Sequence, residues 1–539
     1  MFGTDGIRGA FDDSIHPAER LDALQRRIIS PGLAWAVGWS LARLTPTQDL
    51  IVIGWDDRPG NPAMVRALSD GCEAGGAQVI HLGICATPAV QHGTLLHEAR
   101  FGCMVTASHN PRSDTGIKVF DDLGRKSQPS LEREITSLVR RAPSRKDSAE
   151  GWQHTPLDHA ALVRSRVNRL TGDWDLKHVD PTTLIPSQGL IVDGSGSAVT
   201  PYVTQLLDDT LGIEAVECGA SRGGLNVDCG AGAFSPTDTW SWEELQEPQT
   251  HALLDAVRTR LLDLVQDPRD EWPEGTLLGA SVDGDADRCL LFESRGSGLR
   301  VVDGDQIGDR ILRATSGSGP WTLAASIESD LGMIEGTTRF SAGIETRTTA
   351  VGDRWLSHAL LQGHGSFLMG AHAPKMIGIE DSGHVVLPSP HPRVKGAWTL
   401  VGDGLVTLCM ALIASAGAMK GPGQFLAGFK RRVSIKGTDR SRWTGDNAIA
   451  EAVLEALRSN PHLPVGPLEH RAIEGGGDLL LVEAELRSGG RLSRGVRNSG
   501  TEAKTSISLR TSVPLGEQER SALAFMESIR IILEQALIP

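Results

Sequence analysis

Short apolar runs alternate with amphipathic stretches along most of the chain, the signature of strands and helices that take turns. Residues 50–54, 78–82 and 101–105 read as strands, with a helix over 62–75 between the first two. The pattern restarts at Gly189 with a strand at 190–192, a tight turn Gly194-Ser195-Gly196 and a helix over 199–211. That turn is similar to a dinucleotide-binding fingerprint, but Val199 stands where a third glycine belongs, so it reads as a strand-turn-helix joint. Residues 234–274, rich in Trp, Glu and Pro, read as an insertion with its own amphipathic helix at 251–265. Asp303-Gly304-Asp305 reads as a helix start at Asp305, ahead of Ile307, Ile311 and Leu312, and Gly402-Asp403-Gly404 reads the same way. From about residue 429 the chain is richer in strands and ends in a helix over 517–537.

This layout predicts an α/β protein of four units: 1–185, 186–300 (with the 234–274 insertion), 301–428, and a smaller α+β unit at 429–539. A charged stretch at 141–155 reads as a surface excursion within the first unit. A chain of 539 residues is too long for one core.

Charge and cysteine usage narrow the function classes. The formal net charge of −14 argues against a nucleic-acid partner. An acidic protein that takes an anionic substrate must gather Arg, Lys or a metal locally. The longest apolar stretch, 405–419, is too short for a bilayer and reads as a buried helix, so no membrane partner is expected. Seven scattered cysteines without a CxxC pair fit reduced thiols, and the polar start of the chain lacks an export signal, so a cytoplasmic protein is expected.

Four polar loops carry candidate chemistry. Thr106-Ala-Ser-His-Asn-Pro111 follows the apolar run 101–105, where Ser108 could carry a phosphoryl group beside His109. Asp283-Gly-Asp-Ala-Asp-Arg288 follows the apolar run 277–282. Its alternate carboxylates Asp283, Asp285 and Asp287 suit a hard cation such as Mg²⁺, Mn²⁺ or Ca²⁺. Position six is Arg288 and position twelve Ser294, so it is no EF-hand. In Gly378-Ile-Glu-Asp-Ser-Gly-His384, Glu380 and Ser382 could hold sugar hydroxyls and His384 could move a proton. Arg497-Asn-Ser-Gly-Thr-Glu502 offers a guanidinium and two hydroxyls as a phosphate cradle. Arg8, after the glycine-rich start, and Lys118, just past the first loop, are further basic candidates.

Taken in order, the four loops and the start Phe2-Gly-Thr-Asp-Gly-Ile-Arg-Gly9 resemble the α-D-phosphohexomutase family, with the start most like its phosphoglucosamine mutase branch. The resemblance implies three related α/β domains and a smaller carboxy-terminal domain around a central cleft. It implies that Ser108, carried as phosphoserine, exchanges its phosphoryl group with a sugar monophosphate through a 1,6-bisphosphate, which also primes the enzyme. On the same analogy one Mg²⁺ per chain is held by Asp283, Asp285, Asp287 and the Ser108 phosphoryl group. Glu380 and Ser382 grip the sugar, while Arg497, Asn498, Ser499, Gly500 and Thr501 hold the other phosphate. Lys118 and His384 become candidates for proton transfer, Arg8 and Arg288 for charge stabilisation, and His109 a further catalytic candidate. The implied partner is a small phosphosugar, and the implied assembly a monomer or homodimer.

The chain departs from the family pattern at Ile379, where a glycine is usual, and at Ser506, where an arginine is usual and Lys504 or Arg510 could substitute. Glucosamine 6-phosphate is the favoured substrate, with phosphoglucomutase or phosphomannomutase activity as the alternative. Two other classes stay open at this stage. Asp-x-Asp also begins phosphatases with an aspartate nucleophile, and a catalytically silent sugar-phosphate sensor would keep the same ligands.

Overall fold

Among the described residues, three six-stranded mixed sheets and one five-stranded antiparallel sheet follow one another along the chain. The computed structural model describes residues 1–3, 5–45, 49–143, 154–315, 319–419, 421–458, 465–487, 489–499 and 503–538. The first three sheets share one core arrangement. In the first, Gln78–Ile84, Leu50–Trp55 and Phe101–Val105 run parallel, and Asp114–Phe120 pairs antiparallel with the last of them. In the second, the parallel trio is Ala215–Glu217, Leu190–Asp193 and Leu277–Val282, with Cys289–Ser294 antiparallel. In the third it is Ile344–Thr349, Trp321–Ser326 and Met376–Ile379, with Val385–Pro390 antiparallel.

This repetition places the chemistry. In each of these three sheets the loop between the last parallel strand and its antiparallel partner is one of the polar loops: 106–113, 283–288 and 380–384. The fourth sheet orders Lys430–Lys436, Lys504–Thr511, Arg491–Asn498, Leu480–Glu485 and Glu469–His470, all antiparallel. Its cradle segment lies between Arg491–Asn498 and Lys504–Thr511. Residues 500–502 of that segment, including Gly500 and Thr501, lie outside the described residues, as do 144–153 of the charged excursion.

The apolar runs become strands buried on both faces, as parallel sheets flanked by helices require; every residue of Leu277–Val282 is buried. Both acidic turns cap helices. Asp403 accepts from the Leu405 and Val406 N–H groups at 3.1 and 3.2 Å, opening the buried helix Gly404–Ala418. Asp303 accepts from Gln306 N–H at 3.0 Å. One continuous core joins the second and third units, with Val203, Leu206 and Leu277 packing in the same cluster as Ile377, Leu405 and Leu408.

Some borders differ from the sequence pattern. The strand Gly298–Val302 pairs with Cys289–Ser294 and Thr239–Ser241, so the second sheet runs past residue 300. The helix His159–Asp173 buries Val163, Val167 and Leu170 in the core shared by the second and third units, away from the first sheet. Residues 234–274 do not stand apart. Thr239–Ser241 is an edge strand, and the helix Ala252–Leu262 lays Leu253 and Val257 on Ile191 and Leu278 of the second sheet. The seven cysteines are free thiols. Among the described residues no helix is long and apolar enough to cross a membrane.

Candidate active site

Ser108 sits at the meeting point of the first two sheets. Its backbone is left-handed, with φ of 54°, unusual for a residue with a side chain. The surroundings impose that conformation. Its carbonyl accepts from Arg58 and from the Asn226 side chain (2.7 Å), and its N–H donates to the Thr106 hydroxyl at 2.8 Å. Asp56 anchors the base of the turn, accepting from Thr106 at 2.6 Å and Arg58 at 3.0 Å. The Ser108 hydroxyl is fully buried, donates to Asp283 Oδ2 at 2.7 Å, and lies 3.5 Å from His109 Nδ1.

Asp283, Asp285 and Asp287 are all buried and bring one oxygen each within 4.8 Å of one another. Burial and the two neighbouring carboxylates push Asp283 up to about 6. Asp285 accepts from Thr87 and Lys118 on Oδ2, while its buried Oδ1 has no protein partner. A cluster of three acids with an orphaned oxygen fits a divalent cation with oxygen ligands. The described chain balances this charge with lysines. Lys118 Nζ lies 2.9, 2.6 and 2.7 Å from Asp5, Asp285 and Asp287. Burial opposes its charge, but these carboxylates outweigh burial and raise its pKa, so it stays an ammonium. Lys126 bridges Asp353 (2.8 Å), Asp5 (3.2 Å) and Asp287 (3.2 Å).

The third loop docks on the second through its backbone. Cys289 N–H donates to Gly383 O at 3.1 Å, and Arg288 pairs with His384 in an isolated antiparallel bridge. Gly383 has φ of 91°, and a Cβ there would lie 2.5 Å from Cys289 O, so only glycine allows this approach. His384 stands between Asp287 Oδ1 (2.9 Å) and Glu380 Oε2 (3.2 Å). Burial and Arg288 disfavour its charged form, yet Asp287 and Glu380 prevail and lift its pKa to about 9. His109 is the opposite case: burial, Arg288 and Arg8 hold it well below its ordinary value, so it is neutral. Glu380 also accepts from Gly352 N–H and from Ser382 Oγ at 3.2 Å.

A cleft of about 460 Å³ connects these loops, lined by Arg8 and His109 from the first unit, Arg288 from the second, Glu380, Ser382 and His384 from the third, and Arg497 and Ser499 from the fourth. All four units therefore contribute to one cavity.

Comparison with known proteins agrees with this architecture. A family described as phosphoglucomutase/phosphomannomutase, alpha/beta/alpha domain I, matches residues 1–146. Phosphoglucosamine mutase from Symbiobacterium thermophilum is 30% identical over 99% of both chains. The chain belongs to the phosphohexomutase family. It is accordingly an isomerase. Among solved structures, a phosphoglucomutase/phosphomannomutase family protein from Burkholderia thailandensis has a TM-score of 0.59 at 17% identity, covering 99% of this chain and 97% of that one. An N-acetylphosphoglucosamine mutase from Aspergillus fumigatus, in complex with GlcNAc-6P and magnesium, has a TM-score of 0.51 at 15% identity, covering 83% of this chain and 92% of that one.

Within this phosphohexomutase the loops meet as their order along the chain implies, with one exception in orientation. Asn498 faces the interior of the fourth unit, donating to Arg440 O (3.0 Å) and Trp443 O (3.2 Å) and accepting from Thr505 (3.0 Å). Strand alternation explains it, since Arg497 and Ser499 point the other way into the cleft. Ile379 is buried in the core, with Gly308 packed on its side chain. Lys504 and Ser506 line the cleft, whereas Arg510 is buried against Ser329 O and Ser493. Sequence reading missed Asp5 as a partner of Lys118, and Thr87, Lys126, Glu328, Asp353 and Arg432 altogether. Apart from Asp5, which lies within the start motif Phe2–Gly9, each sits far in sequence from the loop it serves and carries no local pattern that marks it.

Proposed function

We propose that the enzyme interconverts glucosamine 6-phosphate and glucosamine 1-phosphate through a phosphoserine at Ser108. The observation that carries this reading is the buried Ser108 Oγ–Asp283 contact directly beneath His109 and Arg288, which line a cleft that also presents Arg497, Ser499 and Lys504. The nucleophile thus lies next to a cleft that carries anion-binding side chains, as a reaction that exchanges the two ends of a bisphosphate needs. The full-length relative named phosphoglucosamine mutase supports the amino sugar over glucose or mannose.

In the forward direction the free hydroxyl of the sugar phosphate attacks the phosphorus on Ser108. The bond from phosphorus to Ser108 Oγ breaks, the proton of the hydroxyl passes to a base, and a sugar 1,6-bisphosphate results. After the bisphosphate turns over, Ser108 Oγ gives up its proton and attacks the other phosphorus, the bond from that phosphorus to the sugar oxygen breaks, the oxygen takes up a proton, and the second monophosphate leaves. His109, neutral and 3.5 Å from Ser108 Oγ, offers its ring as a hydrogen-bond partner beside the transferring group, while its low pKa makes it a weak proton acceptor. His384, protonated and gripped by Asp287 and Glu380, acts as a fixed positive charge and acid. Lys118 and Arg288 balance the carboxylates below the phosphoryl group.

Asp283, Asp285 and Asp287, together with an oxygen of phosphorylated Ser108, would hold Mg²⁺. When bound, that ion supplies positive charge to the transferring phosphoryl group. Glu380 and Ser382 orient ring hydroxyls. Turnover of glucosamine, N-acetylglucosamine, glucose and mannose 6-phosphates, with Mg²⁺ and the matching 1,6-bisphosphate, tests the assignment. The glucosamine substrate is expected to give the highest kcat/KM, and a preference for glucose or mannose would refute it.

A further inference from the structure

The cleft-facing side of the fourth sheet is a row of cations and hydroxyls. Arg497 is opposite Ser506, and Ser506 is opposite Ser434, while Arg432 and Lys504 flank them on the same face. Ser434 Oγ and Ser506 Oγ lie 3.1 Å apart. Into this row reaches one carboxylate from the third unit. Glu328 Oε1 accepts from Arg497 Nη2 at 2.8 Å and from its Nε at 3.3 Å, and Oε2 accepts from Arg432 Nη1.

Glu328 is not there by chance of a long side chain. It follows the strand Trp321–Ser326 in a short turn, its N–H donates to Ser326 Oγ at 3.2 Å, and the next carbonyl is tethered by Arg510 at 2.7 Å. Burial opposes its ionisation, but Arg497, Arg432 and Arg510 win and hold the carboxyl at about 2. It is a permanent anion in a place where the proposed function puts a phosphate.

We propose that Glu328 is an internal counter-anion of the phosphate cradle: it holds Arg432 and Arg497 when the cleft is empty and competes with the non-reacting phosphate for both guanidiniums. Arg432 thereby joins the cradle. A carboxylate and a phosphate dianion repel each other beside the same guanidiniums, so each arrival of phosphate must displace Glu328. The cradle then grips loosely, and a bisphosphate that has to let go and turn round can do so. This inference rests on the reading of Arg497 and Ser499 as part of the phosphate cradle.

Titration calorimetry with inorganic phosphate tests it on the full-length enzyme. Glu328→Gln is expected to bind phosphate about tenfold more tightly than wild type, with KM for the sugar phosphate falling in step. Arg432→Met is expected to bind it about tenfold more weakly. If Glu328 served only to bridge the third and fourth units, its loss would loosen the cleft and weaken phosphate binding. Unchanged or weaker binding by Glu328→Gln therefore overturns the proposal. Should that variant melt early, Glu328→Ala is read by the same sign. Failure of the cradle reading is separable: Arg497→Met would then leave phosphate binding unchanged.

Discussion

Ser108 Oγ donates a 2.7 Å hydrogen bond to Asp283 Oδ2, across 175 residues of sequence and between two different sheets. The contact places a hydroxyl in a left-handed turn directly over three clustered carboxylates. Replacing Ser108 with Ala keeps the backbone hydrogen bonds of the turn, since Arg58, Asn226 and Thr106 bind its carbonyl and N–H. Ser108→Ala is therefore expected to fold and to lose at least about a thousandfold in kcat/KM. Steady-state kinetics and a thermal melt check both halves.

The orphaned Asp285 Oδ1 and the crowding of Asp283, Asp285 and Asp287 predict a dependence on divalent cation. Chelation is expected to abolish turnover and Mg²⁺ to restore it. Asp285→Asn is expected to raise the Mg²⁺ concentration for half-maximal activity about tenfold or more. Activity measured against a Mg²⁺ series reads the shift.

Lys118 is the buried counter-charge of Asp5, Asp285 and Asp287. Lys118→Met removes the ammonium from Asp285 and leaves Asp5 and Asp287 only their remaining partners Lys126, Arg8 and His384, and is expected to cost about 3–5 kcal/mol. Added Mg²⁺ is expected to recover more stability in this variant than in wild type, because the cation replaces part of the lost charge. Denaturant melts with and without Mg²⁺ measure the difference.

Gly383 lets the sugar loop lie on the metal loop. Gly383→Ala would place a methyl group 2.5 Å from Cys289 O at a φ of 91°. It is expected to lower kcat/KM about tenfold and reduce the melting temperature, through a strain of roughly 1–3 kcal/mol.

His81 gives a pH dependence away from the site. Burial, and then the neighbouring His154, lower its pKa from the ordinary 6.5 to about 4, and its ring bonds Ser69 Oγ at 2.8 Å. The unfolded chain binds more protons than the folded one between those values, so His81 contributes stability above pH 6.5 that is lost as pH falls through 4. His81→Gln is expected to flatten this part of the stability curve, as read from melting temperature between pH 4 and pH 7.

The reaction loops were legible because each interrupts a strand pattern with residues that need a chemical reason. Leu277–Val282 is wholly buried, and three aspartates at its end make sense only around a cation or lysine. The helix starts near Asp305 and at Asp403 were legible because capping is local, although the first cap is Asp303, two residues earlier than the sequence placed it. Glu328, Arg432, Lys126 and Asp353 were not, since their meaning comes from tertiary contacts between units that sequence spacing does not encode. The inward turn of Asn498 was hidden for a related reason: alternation sets its face only once the strand Arg491–Asn498 and its register are known. The covering helix Ala252–Leu262 looked like an addition because its partners Ile191 and Leu278 belong to strands on either side of it in sequence.

The most direct measurement of the central claim is a phosphoryl chase. Enzyme treated with a sugar 1,6-bisphosphate is analysed by intact mass and peptide mapping, then mixed with glucosamine 6-phosphate and analysed again. One phosphoryl group on Ser108, discharged onto the sugar as a bisphosphate, is the result expected. A phosphoryl group on Asp283, or isomerisation that proceeds with Ser108 never modified, would contradict the account.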